Sequence, residues 1–516
     1  MKAGAAALAA TIGVAGAQAA VDSSDALLNA LIKKGILTQD EADKVKAEAA
    51  ASQTNMPPSE ISKWKISNAI KNVELFGDIR FRFEDRYASA AGDNTVRLQR
   101  ERYALRLGLR GDLVDNFYYG LRLETAANPR SPWVTFGTSS SGVPFQGPFG
   151  KGTAGINLGQ VYLGWKPADW AEFTIGKMPM PLYTTPMVWD TDINPEGLAE
   201  HFKYTVGEAD FFANFGQFIY QDTNPTQTGF GFFPSLFPQG TNSSAPLLLA
   251  WQVGMNYHVD KDITFKVAPV LYNYTDKGVN TSSGATILPG FSGIFVGQGA
   301  ANGAVYSGVH TSGYSGYPNG NINGISYDGF AANQTGINDL LILEIPAEIN
   351  FKLGKYKARV FGDFSENLDG AARARDAFNE SKLIPNITPI PFAATDQVKA
   401  WQVGFAIGNG DALGLTYGAL SKKHTWEARA YWQHVEQYAL DPNLLDSDFF
   451  EGRGNLQGFY SAVAYSITDN IIGTLRYGYA DQIDGSLGTG GSNQDIPQVN
   501  AIHRYQLIQA DLTCRF

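Results

Sequence analysis

Five arginines, Arg80, Arg82, Arg106, Arg110 and Arg122, fall at positions of one parity within three stretches where apolar and polar residues alternate. A guanidinium stays charged at any physiological pH, so such a row does not trade protons; it supplies fixed positive charge that attracts anions or pairs with carboxylates. In Asp78-Ile79-Arg80-Phe81-Arg82-Phe83-Glu84 every odd residue is apolar and every even one charged. The next stretch sets Tyr103, Leu105, Leu107 and Leu109 against Ala104, Arg106, Gly108 and Arg110; a third sets Tyr119, Leu121 and Leu123 against Gly120, Arg122 and Glu124. The acids Asp78, Glu84 and Glu124 share the arginines' face and are ready partners for them. A separate acidic set, Asp190, Asp192 and Glu196, stands beside Trp189 and several prolines in the segment Met178 to Glu196.

Covalent and metal chemistry find little to work with. His201, His258, His310, His424, His434 and His503 are scattered, and neither G-x-S-x-G nor H-E-x-x-H occurs. Gly297-Gln298-Gly299 and Gly488-Thr489-Gly490-Gly491 do not sit between a strand and a helix, as a nucleotide-binding turn must. Cys514 is alone, which excludes an internal disulfide and a cysteine zinc site. The expectation is a chain that is not an enzyme and that carries no cofactor and no metal.

A period of two means strands, and the two faces of these strands tell what surrounds them. Outward positions favour Leu, Phe, Tyr and Trp, while the other face carries arginine and glycine in adjacent strands. That combination suits an all-β, transmembrane antiparallel barrel with lipid outside and water inside. With neighbouring strands about 4.8 Å apart, Arg80, Arg82, Arg106, Arg110 and Arg122 then form a basic wall lining the pore. Seven short connections alternate with eight long ones along the chain, which gives sixteen strands with both ends on one side. Ala400 to Leu420 is taken as one long bulged strand despite its Gly408-Asn409-Gly410-Asp411 interruption. The third long connection, Met178 to Glu196, is stiff and acidic, and is the candidate to fold inward opposite the arginines. The last strand alternates back from Phe516 through Cys514, Leu512, Ala510 and Ile508, and pairs with the first to close the sheet.

Composition agrees with this architecture. Of 516 residues only 17% are charged, 44% are hydrophobic and 56 are glycine, far from the profile of a disordered chain; a net charge of −10 argues against a nucleic-acid partner. Lys2, an apolar stretch from Ala3 to Gly16 and Ala17-Gln18-Ala19 read as a cleaved export signal over residues 1–20. Residues 21–56 read as a helical hairpin: Leu27, Leu28, Leu31 and Ile32 share a face, Gly35 caps the first helix, and Thr38 with Glu41 starts the second. Pro57-Pro58 opens a linker over 57–72, and the barrel occupies 73–516. No later apolar run reaches the ~18 residues of a membrane helix.

The hairpin segment Lys33-Lys34-Gly35-Ile36-Leu37-Thr38-Gln39-Asp40-Glu41-Ala42, the segment Leu444-Leu445-Asp446-Ser447-Asp448-Phe449 and the Tyr505 to Phe516 ending resemble the bacterial "putative porin" family of outer-membrane barrels. The resemblance implies passive diffusion of small hydrophilic solutes or ions through a water-filled barrel. It also implies a Gram-negative type outer membrane, lipid contact and a homotrimer with one long loop folded into each pore. The alternative is a surface adhesin or receptor acting through its long loops, above all the Gly-, Ser-, Asn- and Tyr-rich Thr275 to Asp339.

Overall fold

The computed structural model describes residues 67–90, 95–126, 131–137, 155–220, 247–275, 339–381, 397–410, 413, 422–489, 495–496, 499 and 501–516. The chain divides into two compact units, Met1–Asn68 and Ala69–Phe516, and the second contains every strand described here. The expected export signal, helical hairpin and most of the linker lie outside the described residues. The end of the linker is already attached to the sheet, since Ile70 bridges Leu113 and the Lys71 amide donates to the Asp112 carbonyl at 2.8 Å.

One closed antiparallel sheet of sixteen strands forms the second unit. In chain order the strands are β1 (Glu74–Ser89), β2 (Thr95–Asp112), β3 (Phe117–Ala126), β4 (Gly155–Ala168), β5 (Ala171–Lys177), β6 (Glu196–Val206), β7 (Ala209–Ile219) and β8 (Leu247–His258). Next comes β9, whose halves Thr264–Val267 and Val270–Tyr274 both pair with β8 on one side and with the following strand on the other. Pro269, which lacks an amide hydrogen, sits in the break. The series continues with β10 (Leu341–Leu353), β11 (Tyr356–Asn367), β12 (Lys399–Gly408), β13 (Trp426–Val435), β14 (Leu456–Ser466), β15 (Ile471–Gln482) and β16 (Arg504–Arg515). A two-residue piece, Val134–Thr135, extends the β3 ladder on β2 opposite Tyr103 and Arg102. Closure is direct: β1 pairs with β16 from Asp78↔Arg515 to Ser89↔Arg504, as the alternation of the last strand requires.

The faces are inverted relative to a water-soluble protein. Phe81 is 48% exposed, Val253 59% and Leu475 65%, whereas Glu84, Arg86, Gln252 and Glu344 are fully buried inside the ring. Burying charge while exposing leucine is stable only where the outer solvent is lipid. Aromatic residues gather near the short-turn ends, with Phe117 stacked on Trp165 and Trp170 on Phe202, in the manner of the girdle that flanks a lipid core.

Three local expectations are corrected. β1 and β2 pair through Ser89↔Thr95, so the connection between them, counted in the sequence as one of the eight long ones, is short. Among the described residues of the segment Ala400 to Leu420 the strand stops at Gly408, where Asn409 accepts the Trp426 amide at 2.7 Å on its side-chain oxygen and so caps the ladder; residues 411–412 and 414–420 lie outside the described residues. Finally, a helix, α1 (Gly370–Ser381), occupies part of the long connection after β11, where the sequence shows no clear helical period.

Candidate functional site

Along β1 and β2 the inward arginines are held by acids from three sources. On their own sheet, Arg80 bonds Asp78, Arg122 Nη2 lies 3.0 Å from Glu124, and Arg106 Nε lies 3.5 Å from the same carboxylate. From across the seam, Asp511 of β16 accepts from Arg82 Nε and Nη2 at 2.8 and 3.0 Å. From the long connections, Asp448 accepts from Arg82 Nη1 at 2.6 Å and Asp192 accepts from Arg106. Inward acids do pair with these arginines, and two loops add carboxylates to the same wall.

Residues 178–195 leave β5, cross the interior and reach the far wall. The Tyr183 amide donates to Gln252 of β8 at 2.9 Å, Thr184 donates to Glu344 of β10 at 2.7 Å, and Thr185 bonds Asp363 of β11. Met178, Met187, Val188 and Trp189 are buried there, joined by Leu440, Leu444, Leu445 and Phe449 of the connection 436–455. This second connection also lies inside the barrel. The Asp190 amide donates to the Leu444 carbonyl at 2.6 Å, and Ser447 donates to the Asp190 carboxylate at 3.2 Å. Gly478 on the inner face of β15 makes room for it, since a Cβ there would stand 2.8 Å from the Phe449 ring. The turn at Phe450, Glu451 and Gly452 takes left-handed backbone, and a buried Arg453 bonded to Glu451 at 3.0 Å fixes it.

Burial dominates the ionisation of the loop acids. It raises Asp190 well above the usual carboxylate range, reinforced by the neighbouring charges of Asp192 and Asp446. Burial, with Asp448 beside it, pushes Asp446 up to about 7. Burial also opposes ionisation of Asp448, but Arg82, Arg476 and Arg86 more than offset it and hold that carboxyl well below its ordinary value.

These groups enclose a cavity of about 330 Å³ inside the barrel. Of the residues singled out in the sequence, Arg80, Arg82, Arg106, Asp190 and Asp192 line it. Three others lie elsewhere. Arg110 pairs with Glu74 at 2.7 Å near the short-turn end and is more than half exposed; Arg122 stays on the wall with Glu124; Glu196 pairs with Lys177 at 2.8 Å where β5 and β6 meet the loop. The lining also includes Arg102, Arg429, Arg476 and Arg515, the acids Asp446, Asp448 and Asp495, and Trp133, whose ring lies 4.2 Å from the Arg82 guanidinium carbon. Parity carried a signal for Arg102, which precedes the Tyr103 to Arg110 alternation in register with Arg106. No parity exists for Trp133, Asp446 or Asp448, which stand in loops.

No curated protein matches the chain. Among solved structures, an anion-selective porin from Comamonas acidovorans aligns at 11% identity and TM-score 0.40, over 86% of this chain and 99% of that one. OprB of Pseudomonas putida aligns at 13% identity and TM-score 0.44, over 86% and 94%. OmpT, an outer membrane protein of Vibrio cholerae, aligns at 11% identity and TM-score 0.39, over 88% and 99%. The family described as "putative porin" matches residues 92–291 and 324–516, most of the sequence, and the chain therefore belongs to the "putative porin" family.

Proposed function

We propose that this porin passes small hydrophilic solutes through a constriction formed between its arginine wall and two inward loops, with anions favoured over cations. Family membership supports reading the chain as an outer-membrane channel rather than an enzyme. The observation that carries the finer reading is the cavity of about 330 Å³, lined by Arg80, Arg82, Arg102 and Arg106 of the wall and by Asp190, Asp192 and Asp446 of the inward loops. Fixed charges of opposite sign around a narrow aqueous space orient dipolar solutes and disfavour apolar ones. Arginines outnumber acids in the lining by seven to five, and burial raises the Asp190 and Asp446 carboxyls, which weakens the acidic side further. The zero-current potential of the reconstituted channel in a potassium chloride gradient tests this. It should have the sign of anion preference, and a cation-selective sign would overturn the charge assignment.

The remaining parts of the reading concern residues 1–72 and assembly. Residues 1–20 act as an export signal removed on secretion, 21–56 as a helical appendage joined by the linker, and 73–516 as the barrel. Three copies assemble through apolar outward faces. Only single-chain mass in native measurements from mild detergent would remove the trimer.

A further inference from the structure

We propose that Arg102 is an anion-binding residue of the lumen whose ligand is the carboxylate of a small monoanionic solute in passage. The proposal rests on the reading that the barrel conducts. Arg82 and Arg102 stand directly opposite each other in the β1–β2 ladder and face the same cavity, yet their surroundings differ. Arg82 is saturated by Asp511 and Asp448 at 2.6 to 3.0 Å. Arg102 has Glu84 at 3.9 Å, and that carboxylate already takes Arg86 at 3.0 Å and Arg100 at 2.6 Å. Asp495 is likewise held, by Arg100 at 2.7 Å and Arg86 at 3.2 Å. Among the described residues Arg102 Nε has no hydrogen-bond partner, although the side chain is only 11% exposed. A guanidinium so far out of bulk water normally has its own carboxylate.

The described residues of the connection that carries Trp133, 131–137, include neither Asp nor Glu to pair with Arg102. The Trp133 ring packs against both guanidiniums, its centroid 4.2 Å from Arg82 Cζ and 5.8 Å from Arg102 Cζ, and so limits where Arg102 can turn. What is left is a planar fork of donors beside an open cavity. A carboxylate matches that fork with two parallel N–H···O bonds, whereas a halide offers a single centre. Asp448, held ionised by Arg82, Arg476 and Arg86, and Asp192 line the same cavity and work against a second negative charge on the solute, which selects a monoanion.

Single-channel recording with benzoate as the probe tests the assignment, since benzoate is bulky enough to interrupt a chloride current while it occupies the cavity. Benzoate should block the native channel saturably, and benzamide, of the same shape without the charge, should not. In Arg102→Gln the half-blocking concentration should rise at least tenfold. Arg102→Lys, which keeps the charge but loses the fork, should fall between, and it stands in if the Gln variant does not assemble. Arg97→Gln, at an exposed pair with Asp85, should block like the native protein. Equal block in the native channel and either Arg102 variant would overturn the assignment, as would native conduction without block or equal block by benzamide. A native protein that shows no conductance steps would instead overturn the reading of the barrel as a channel.

Discussion

Arg82 and Asp448 are 366 residues apart in the chain and 2.6 Å apart in space, one on the first strand and the other on the last loop but one. The contact ties the connection 436–455 to the seam where β1 meets β16, because Arg82 holds Asp511 of β16 at the same time. A wall residue thereby seats a loop, and the loop in turn carries acids into the cavity.

Asp448→Asn should loosen that seat. The change removes a charge-assisted bond to Arg82 while leaving its bonds to Asp511, so the loss should be on the order of 2 kcal/mol. Hydrogen exchange should speed up at residues 436–455 more than on β1, and the single-channel current should become noisier. Unchanged protection of that connection would show that its apolar packing alone seats it.

Removing charge from one side of the cavity should move selectivity in a predictable sense. Arg80→Ala with Arg106→Ala should shift the zero-current potential toward cation preference. Asp190→Asn with Asp192→Asn should shift it the other way, and burial, which raises the Asp190 carboxyl, lessens that residue's share. If neither pair moves the potential beyond measurement scatter, the constriction lies elsewhere in the lumen.

Selectivity should also depend on pH near neutrality. The Asp446 carboxyl, pushed up to about 7 by burial and by Asp448, loses its proton as pH rises through that value and adds negative charge to the cavity lining. Anion preference should therefore be greater near pH 5 than near pH 8.5, as approximate end points around that raised value. Asp446→Asn should flatten the difference. The same shift means the folded seat is favoured while Asp446 is protonated, and this contribution declines as pH rises from the unfolded carboxyl's range, about 4, through about 7. A zero-current potential constant across the range would contradict the assignment.

The C-terminus should be essential for closing the sheet. Phe516 exchanges backbone bonds with Gly77 at 2.8 and 3.1 Å, and its ring fills the space where a Gly77 Cβ would be. Leu512 is 44% exposed on the outer face of β16. Deleting Phe516, or replacing Leu512 by Asp at a cost of about 2–3 kcal/mol in lipid, should reduce the yield of heat-modifiable, membrane-inserted protein. A Gly485→Ser change, in open loop space, should not. Equal yields would mean that the terminus merely frays.

Alternation made the barrel legible in the sequence. Once one face reads Ile79, Phe81, Phe83 and the other Arg80, Arg82, Glu84, both the strand and its two solvents follow, and the spacing of connections then counts the strands. Arg80, Arg82 and Arg106 were legible for the same reason. What alternation does not encode is how far each side chain lies along the pore axis. Arg110 and Arg122 have the right parity, yet Glu74 and Glu124 hold them away from the cavity. The loops were harder. Met178 to Glu196 could be chosen from its prolines and acids, but the inward course of 436–455 depends on a left-handed turn at Phe450 and Glu451 and on bonds to residues hundreds of positions away. No local pattern announces either. The helix α1 was not legible because a short helix in a long connection carries no strong apolar stripe to reveal it.

The most direct test of the account is single-channel recording of the purified protein in planar lipid bilayers, under applied voltage in symmetric salt. Discrete conductance steps, with a zero-current potential of anion-preferring sign once a salt gradient is imposed, are the predicted result. Silent membranes at every voltage, from protein that is folded and inserted, would contradict it and favour a barrel with a closed lumen whose loops bind partners at the cell surface.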